Sequence, residues 1–326
     1  MSKIKIFTGS AHPGFAEKIC GYLKIPLSQI IIKRFADSEL YVKCNEVVRG
    51  EDVFIVQPIS RPVNENLMEL LIMIDALKRS SVEMINVVIP YYGYARQDRR
   101  SSAREPITAK LVANLLTTAG AHRVITVDLH SPQIVGFFDI SVDHFEAYPI
   151  FAEYITKKGL KNVVAVASDS GFVKKTRKFA KLMDCPLAII DKRRPRHNKA
   201  EVVNVIGDVK GMTCILLDDM IDTGGTIAAG ADALMKKGAK EVYICATHAV
   251  LSEDAVDKLK KCAAKEIVLT DSLPIPKEKM LKKMKIISIA EIMAQVIERI
   301  HEHRSLGELF SWEEKVEIVS SNRENY

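Results

Sequence analysis

Asp218-Asp219-Met220-Ile221-Asp222-Thr223-Gly224-Gly225-Thr226 follows the apolar run 214–217 and leads into a segment of helical periodicity at Ile227. A buried strand ending in two acids, then a turn with paired glycines and threonines at a helix start, suits a phosphorylated sugar. The backbone N–H groups of Asp222, Thr223, Gly224, Gly225 and Thr226 would hold a phosphate against the positive end of the helix. Asp218 and Asp219, just before it, can accept hydrogen bonds from vicinal hydroxyls. A lone Asp-Thr-Gly-Gly-Thr would equally suit an ordinary strand–turn–helix bend; the full pattern is far more specific.

Composition bounds the rest. With 326 residues, 48% hydrophobic and 27% charged, the chain can bury a sizeable core, and its length favours two domains. No apolar run approaches the roughly 20 residues of a spanning helix, and the first residues lead straight into a strand without a signal-peptide pattern, so a cytoplasmic, non-membrane protein is expected. Cys20, Cys44, Cys185, Cys214, Cys245 and Cys262 are scattered without a C-x-x-C pair, which suggests neither zinc nor a disulfide framework. The net charge of +6 gathers in short clusters at 96–104 and 192–196. Beside a phosphate loop, such clusters suit ATP and sugar phosphate better than nucleic acid.

Strand-like runs are expected at 3–7, 30–35, 52–57, 85–90 and 123–128, then at 163–167, 187–191, 213–217, 241–247, 266–270 and 286–288. Apolar residues recur at helical spacing over 63–78, 108–119, 172–183, 226–237 and 290–303. This alternation predicts an α/β fold of mainly parallel sheets flanked by helices. Each half carries a comparable series, so a duplicated unit is expected: an N-terminal domain 1–146, a C-terminal domain 147–310 and a charged tail 311–326, with the final helix free to pack on the first half.

In such sheets chemistry gathers at the carboxyl ends of strands. There the chain carries Asp37, Ser38 and Glu39, then Arg96 and Gln97, then Asp128-Leu129-His130, and Ser168-Asp169. Each alone has a plainer reading: a solvated turn, a charged loop, a core histidine, a helix cap. Their joint occurrence, each just after an apolar strand, favours a functional reading.

Further segments complete the pattern: Phe35-Ala36-Asp37-Ser38-Glu39, Asn64-Glu65-Asn66-Leu67-Met68-Glu69-Leu70-Leu71, Tyr94-Ala95-Arg96-Gln97-Asp98, Arg104-Glu105-Pro106-Ile107-Thr108-Ala109-Lys110, Asp128-Leu129-His130-Ser131-Pro132-Gln133-Ile134 and Asp191-Lys192-Arg193-Arg194-Pro195-Arg196. In order, from about Lys3 to Phe310, they resemble the ribose-phosphate pyrophosphokinases of the phosphate-regulated bacterial and animal type. The resemblance implies two phosphoribosyltransferase-like domains, assembly as a homo-hexamer, and transfer of pyrophosphate from ATP to ribose 5-phosphate with Mg2+. Asp37, Ser38, Glu39, Arg96 and Gln97 would then bind ATP. His130 and Asp169 would serve the metal, although histidine is an untypical partner for so hard a cation. Asp218, Asp222, Thr223, Gly224, Gly225, Thr226 and Arg194 would hold ribose 5-phosphate. Lys192 and Arg194, at the base of a polar loop able to close over the triphosphate, would stabilise the transition state.

Departures from the family pattern stand beside it. Ser38 replaces a glycine; Ala167-Ser168-Asp169-Ser170-Gly171-Phe172 replaces Ser-Pro-Asp-x-Gly-Gly. Ser252-Glu253-Asp254 lacks the usual Gly-Pro after its serine, in a region where relatives bind phosphate and ADP as effectors. Two other readings therefore remain open at this point: a non-catalytic paralogue, and a phosphoribosyltransferase that consumes the product.

Overall fold

A computed structural model of the chain describes residues 3–193 and 202–310; Arg194 and the tail 311–326 lie outside the described residues. The chain divides into two compact units, one of Met1–Phe145 with Ser272–Pro274 and Ser288–Leu306, the other of Glu146–Asp271 with Ile275–Ile287 and Gly307–Tyr326.

Unit 1 runs β1 (Ile4–Thr8), α1 (Pro13–Leu23), β2 (Ile30–Arg34), β3 (Leu40–Cys44), β4 (Asp52–Val56), α2 (Val63–Arg79), β5 (Met84–Ile89), α3 (Thr108–Ala119), β6 (Arg123–Val127) and β7 (Ser141–Phe145). Its sheet has the order β1-β4-β5-β6-β7, all parallel. Every residue of β4 is buried, as a strand covered by helices on both faces requires. Its apolar side chains contribute about 1.5 to 3 kcal/mol each.

Unit 2 runs α4 (Tyr148–Lys157), β8 (Val163–Ala167), α5 (Val173–Leu182), β9 (Leu187–Arg193), β10 (Val202–Ile206), β11 (Thr213–Ile221), α6 (Gly225–Lys236), β12 (Glu241–Ala249), α7 (Ala255–Lys261), β13 (Glu266–Thr270) and β14 (Met284–Ile287). The order of its seven-stranded sheet is β10-β9-β8-β11-β12-β13-β14. Only β10 is antiparallel to its neighbour. Helix α8 (Ala290–His301) belongs to unit 1. The His301 ring lies 2.6 Å from Asp52 at the start of β4, which fixes the helix there. The division at residue 146 therefore leaves out Ser288–Leu306, which the chain returns to the first unit.

Two expectations need correction. The run 30–35 does not end a strand of the parallel sheet: β2 pairs antiparallel with β3 in a separate two-stranded sheet, so Asp37, Ser38 and Glu39 form a hairpin turn. And the strand expected at 213–217 continues to Ile221, because β12 is equally long and pairs Met220 with His248 and Ile221 with Ala249. Asp218 and Asp219 lie within the strand rather than after it.

Candidate functional site

In unit 2 the phosphate-type turn begins where β11 stops. Asp222, Thr223 and Gly224 make the bend, and Gly224 takes φ 71° as the residue before α6. A side chain there would be strained and would sit 3.2 Å from the Ala255 carbonyl oxygen, which is why glycine is needed. The carbonyl groups of the turn are bonded from behind. Ile221 accepts from the Leu251 N–H at 2.9 Å, Asp222 from the Ser252 N–H at 2.9 Å, and Thr223 from the Lys258 ammonium at 3.3 Å.

The N–H groups at the start of α6 have no acceptor within the helix; the first to find one is Ala228, which donates to Gly224 at 3.0 Å. Thr223 and Thr226 are exposed beside them. A twelve-residue helix adds its positive end to these donors, so an anion is favoured here.

Asp218 and Asp219 extend the site along β11. The Asp219 N–H donates to Asp218 Oδ1 at 2.9 Å, and Asp219 is buried while Asp218 is half-buried. Burial, then the neighbouring Asp219 and Asp169 charges, pushes the Asp218 carboxyl well above the usual carboxylate range. Hydroxyl donors or a cation would relieve that repulsion. Asp169 follows β8, the strand beside β11, and its Oδ1 accepts the Phe172 N–H at 3.0 Å. The plainer reading of Asp169 as a helix cap does not hold, since α5 begins at Val173 after Phe172 with no side-chain cap bond; Asp169 instead closes the turn ahead of the helix through one carboxylate oxygen.

In unit 1, Arg96 and Gln97 border a cavity of 350 Å³ together with Val63, Asn64, Tyr91, Gly93, Tyr94 and Ala95. Gln97 Oε1 accepts the Thr108 hydroxyl at 2.6 Å, so the start of α3 orients the side-chain amide. Tyr94 bonds Asn64 through its hydroxyl and sits at φ 65°, a conformation that bulky residues adopt only when their surroundings hold them there. Gly93 has no room for a side chain, since a Cβ would meet the Ile59 carbonyl oxygen at 2.4 Å. Asn64 and Tyr94 line the cavity beside Arg96 and Gln97, a placement that periodicity alone does not reveal; their place in the quoted segments is the only signal.

The cavity lining does not include Asp37, Ser38 or Glu39, which are exposed at the β2–β3 turn. Ser38 has φ 78°, and the turn closes through the Ser38 N–H to Phe35 at 2.9 Å and the Glu39 N–H to Asp37 Oδ1 at 3.1 Å. This explains the glycine of the family pattern: the left-handed backbone is retained with serine, at a strain cost. His130 follows β6 on the exposed side of a buried Asp128 at φ 41°.

His130 belongs to unit 1 and Asp169 to unit 2. Among the described residues, no three His, Cys, Asp or Glu side chains are grouped to hold a metal. Lys192 lies in β9, paired with Val203 of β10; Arg194 is outside the described residues. No described helix is long and apolar enough to cross a membrane.

Comparison with known proteins gives two family matches: the N-terminal domain of ribose phosphate pyrophosphokinase over residues 4–120, and the phosphoribosyl synthetase-associated domain over residues 194–311. A curated ribose-phosphate pyrophosphokinase of Fusobacterium nucleatum is 55% identical over 95% of this chain and 99% of its own. That of Bacillus subtilis is 51% identical over 94% and 97%. The crystal structure of phosphoribosylpyrophosphate synthetase from Mycobacterium smegmatis superposes with a TM-score of 0.88 at 44% identity, covering 93% of this chain and all of that one.

Proposed function

The chain belongs to the ribose-phosphate pyrophosphokinase family, and from that premise we propose how its residues divide the work. The reaction transfers the pyrophosphoryl group of ATP to the anomeric hydroxyl of ribose 5-phosphate, giving 5-phosphoribosyl 1-pyrophosphate and AMP. A non-catalytic or phosphoribosyltransferase role is not favoured beside relatives of this identity and coverage.

The 5-phosphate sits on the residue 222–226 turn, the reading carried by one observation: the carbonyls of Asp222 and Thr223 are bonded from behind, and the turn opens directly into the N-terminal end of α6. Asp218 accepts from a ribose hydroxyl, which its raised pKa favours less as a bare carboxylate and more as one compensated by donors. Arg96 pairs with phosphate oxygens as a planar fork, Gln97 meets the base or ribose, and Asp37 and Glu39 supply acceptors to an adenine amino group. The anomeric oxygen forms its bond to the β-phosphorus as the bridge to the α-phosphorus breaks, so positioning and charge stabilisation dominate.

Mg2+ fits this donor set in the form in which one or two carboxylates and the substrate phosphates hold it. Asp169 would be its hard ligand. When bound, the ion neutralises charge on the triphosphate. A purified sample given ATP, magnesium and ribose 5-phosphate should release AMP and 5-phosphoribosyl 1-pyrophosphate in equal amounts. Absence of both from folded protein would overturn the assignment of these residues to an active site.

Exposed Phe35, Tyr41, Met68, Leu111 and Leu115 on unit 1 suit burial against further copies, in keeping with a cytoplasmic homo-hexamer. Regulation by phosphate or ADP is weakened in this reading. Asp254 pairs with Lys258 at 2.7 Å, and that hydrogen bond holds its carboxyl below the usual range. Glu253 sits at φ 51°, where relatives' glycine would be relaxed. Activation by phosphate should therefore be smaller in the parent than in a Glu253→Gly, Asp254→Pro double variant. Strong activation of the parent, unchanged in the variant, would remove the argument.

A further inference from the structure

Backbone register within each unit lets the two be matched position by position. In unit 1, β1 pairs with β4 from Ile4–Asp52 to Thr8–Val56, and the Gly9 N–H continues to the Val56 carbonyl at 3.3 Å. In unit 2, β8 pairs with β11 from Val163–Thr213 to Ala167–Leu217, and the Ser168 N–H continues to the Leu217 carbonyl at 3.2 Å. The strands beyond follow in the same order, β5-β6-β7 in one unit and β12-β13-β14 in the other. Ser10 is therefore the counterpart of Asp169, and Gln57 the counterpart of Asp218.

The two units differ in where the negative charge comes from. Unit 2 places carboxylates at these two loop positions. Unit 1 places a hydroxyl and an amide there, and the carboxylate arrives from the helix. Glu69 of α2, only 4% exposed, accepts the Ser10 N–H at 2.6 Å, the Ser10 hydroxyl at 2.7 Å and the Gln57 amide at 2.8 Å. Gln57 in turn accepts the Ala11 N–H at 3.1 Å.

From this inversion we propose that the carboxyl-end cleft of unit 1 is a closed copy of the sugar-phosphate cleft: a carboxylate-binding site occupied from within by Glu69. A buried carboxylate is expensive unless bonded, and among the described residues Glu69 has no Lys or Arg in ion-pair range; its compensation is the donor set just named, whose bonds to a charged acceptor are the strong kind. The packing leaves no slack, since a Cβ at Gly9 would lie 2.4 Å from Gln57 Oε1 and 2.5 Å from Glu69 Oε1. Helix α6 has nothing equivalent. Its buried residues are Ile227, Ala228, Gly230, Ala231 and Leu234, so the unit 2 cleft stays open to a ligand. Ser10 is exposed and borders a 580 Å³ cavity, a route by which a small anion can reach the donors once Glu69 is removed.

Acetate is the probe. Full-length Glu69→Ala should unfold roughly 5 to 10 °C below the parent, and sodium acetate, with ionic strength matched by sodium chloride, should recover about half or more of that loss in a saturable manner. Glu69→Gln fills the space with an amide and should lose stability without an acetate response. No recovery in Glu69→Ala, or an equal acetate effect on the parent, overturns the proposal. If Glu69→Ala aggregates, soluble protein obtained only in acetate supports it, and aggregation in acetate as well overturns it. A second arm rests on the proposed sugar-phosphate loop: equilibrium dialysis of the parent should find one ribose 5-phosphate per chain. A second site would overturn the closure of unit 1, whereas no binding at all would count against the loop reading and leave the acetate result to decide.

Discussion

Lys192→Ala and Arg194→Ala should each lower turnover by about 100- to 1000-fold at saturating substrates, the usual loss for one preorganised donor. The backbone places Lys192 suitably for this. Strand β9 pairs Ile189 with Ala167 of β8, so Lys192 lies three residues, or about 10 Å, beyond that pair, toward the same sheet end as Asp169 and Asp218. Its backbone pairs with Val203 of β10 on the outer side of the sheet. The proposed role is to meet charge that develops between the attacking sugar oxygen and departing AMP.

If the proposed interaction strengthens only in the transition state, turnover should fall far more than ATP affinity. Direct titration of each variant with ATP should give a dissociation constant close to the parent's, and Arg194→Ala should show some added loss for ribose 5-phosphate. Near-parent turnover in both variants would return the two residues to ordinary surface charge.

How much of this was legible in the sequence depends on what held each element. Helices α2, α3 and α8 and the buried parallel strands were readable because their apolar spacing is imposed by the core on both faces. The β2–β3 hairpin was misread because Leu40-Tyr41-Val42-Lys43-Cys44 alternates in exposure and is short, and its pairing through the Asp37–Glu39 turn is a tertiary choice. β7 and β10 were missed for a related reason: they are short edge strands, partly exposed in the case of β7. The extension of β11 to Ile221 follows from the length of its partner β12, which no local pattern announces.

Site residues divide along the same line. The residue 222–226 turn was readable because glycine at φ 71° and the helix start are written in adjacent residues. The bond from Glu69 to Ser10 spans 59 positions, and a glutamate on the buried face of a helix looks, in sequence, like any surface acid. Asn64 and Tyr94 meet across 30 positions. Local chemistry was visible; the contacts that orient it were not.

Gly225→Val is the sharpest probe of the sugar-phosphate loop, and the two adjacent glycines show why. At Gly224, φ is 71° and a Cβ would press on Ala255 at 3.2 to 3.4 Å, so substitution there would disturb the fold and blur any effect on the ligand. Gly225 is the first residue of α6, its φ is not left-handed, and a Cβ meets nothing within 4 Å. Valine is accommodated in the free protein at a small cost in helix propensity and rotamer freedom. That open space is where the phosphate is proposed to sit. Two hydrogen bonds to a charged acceptor, each worth about 1.5 to 3 kcal/mol, correspond to a loss of roughly 100-fold or more in affinity for ribose 5-phosphate. ATP binding should change little, because Arg96 and Gln97 belong to the other unit. Calorimetry with each substrate separates the outcomes: equal loss of both would mean the fold has been disturbed, and undiminished sugar-phosphate affinity would mean that the 5-phosphate is held elsewhere than on the N–H groups at the head of α6.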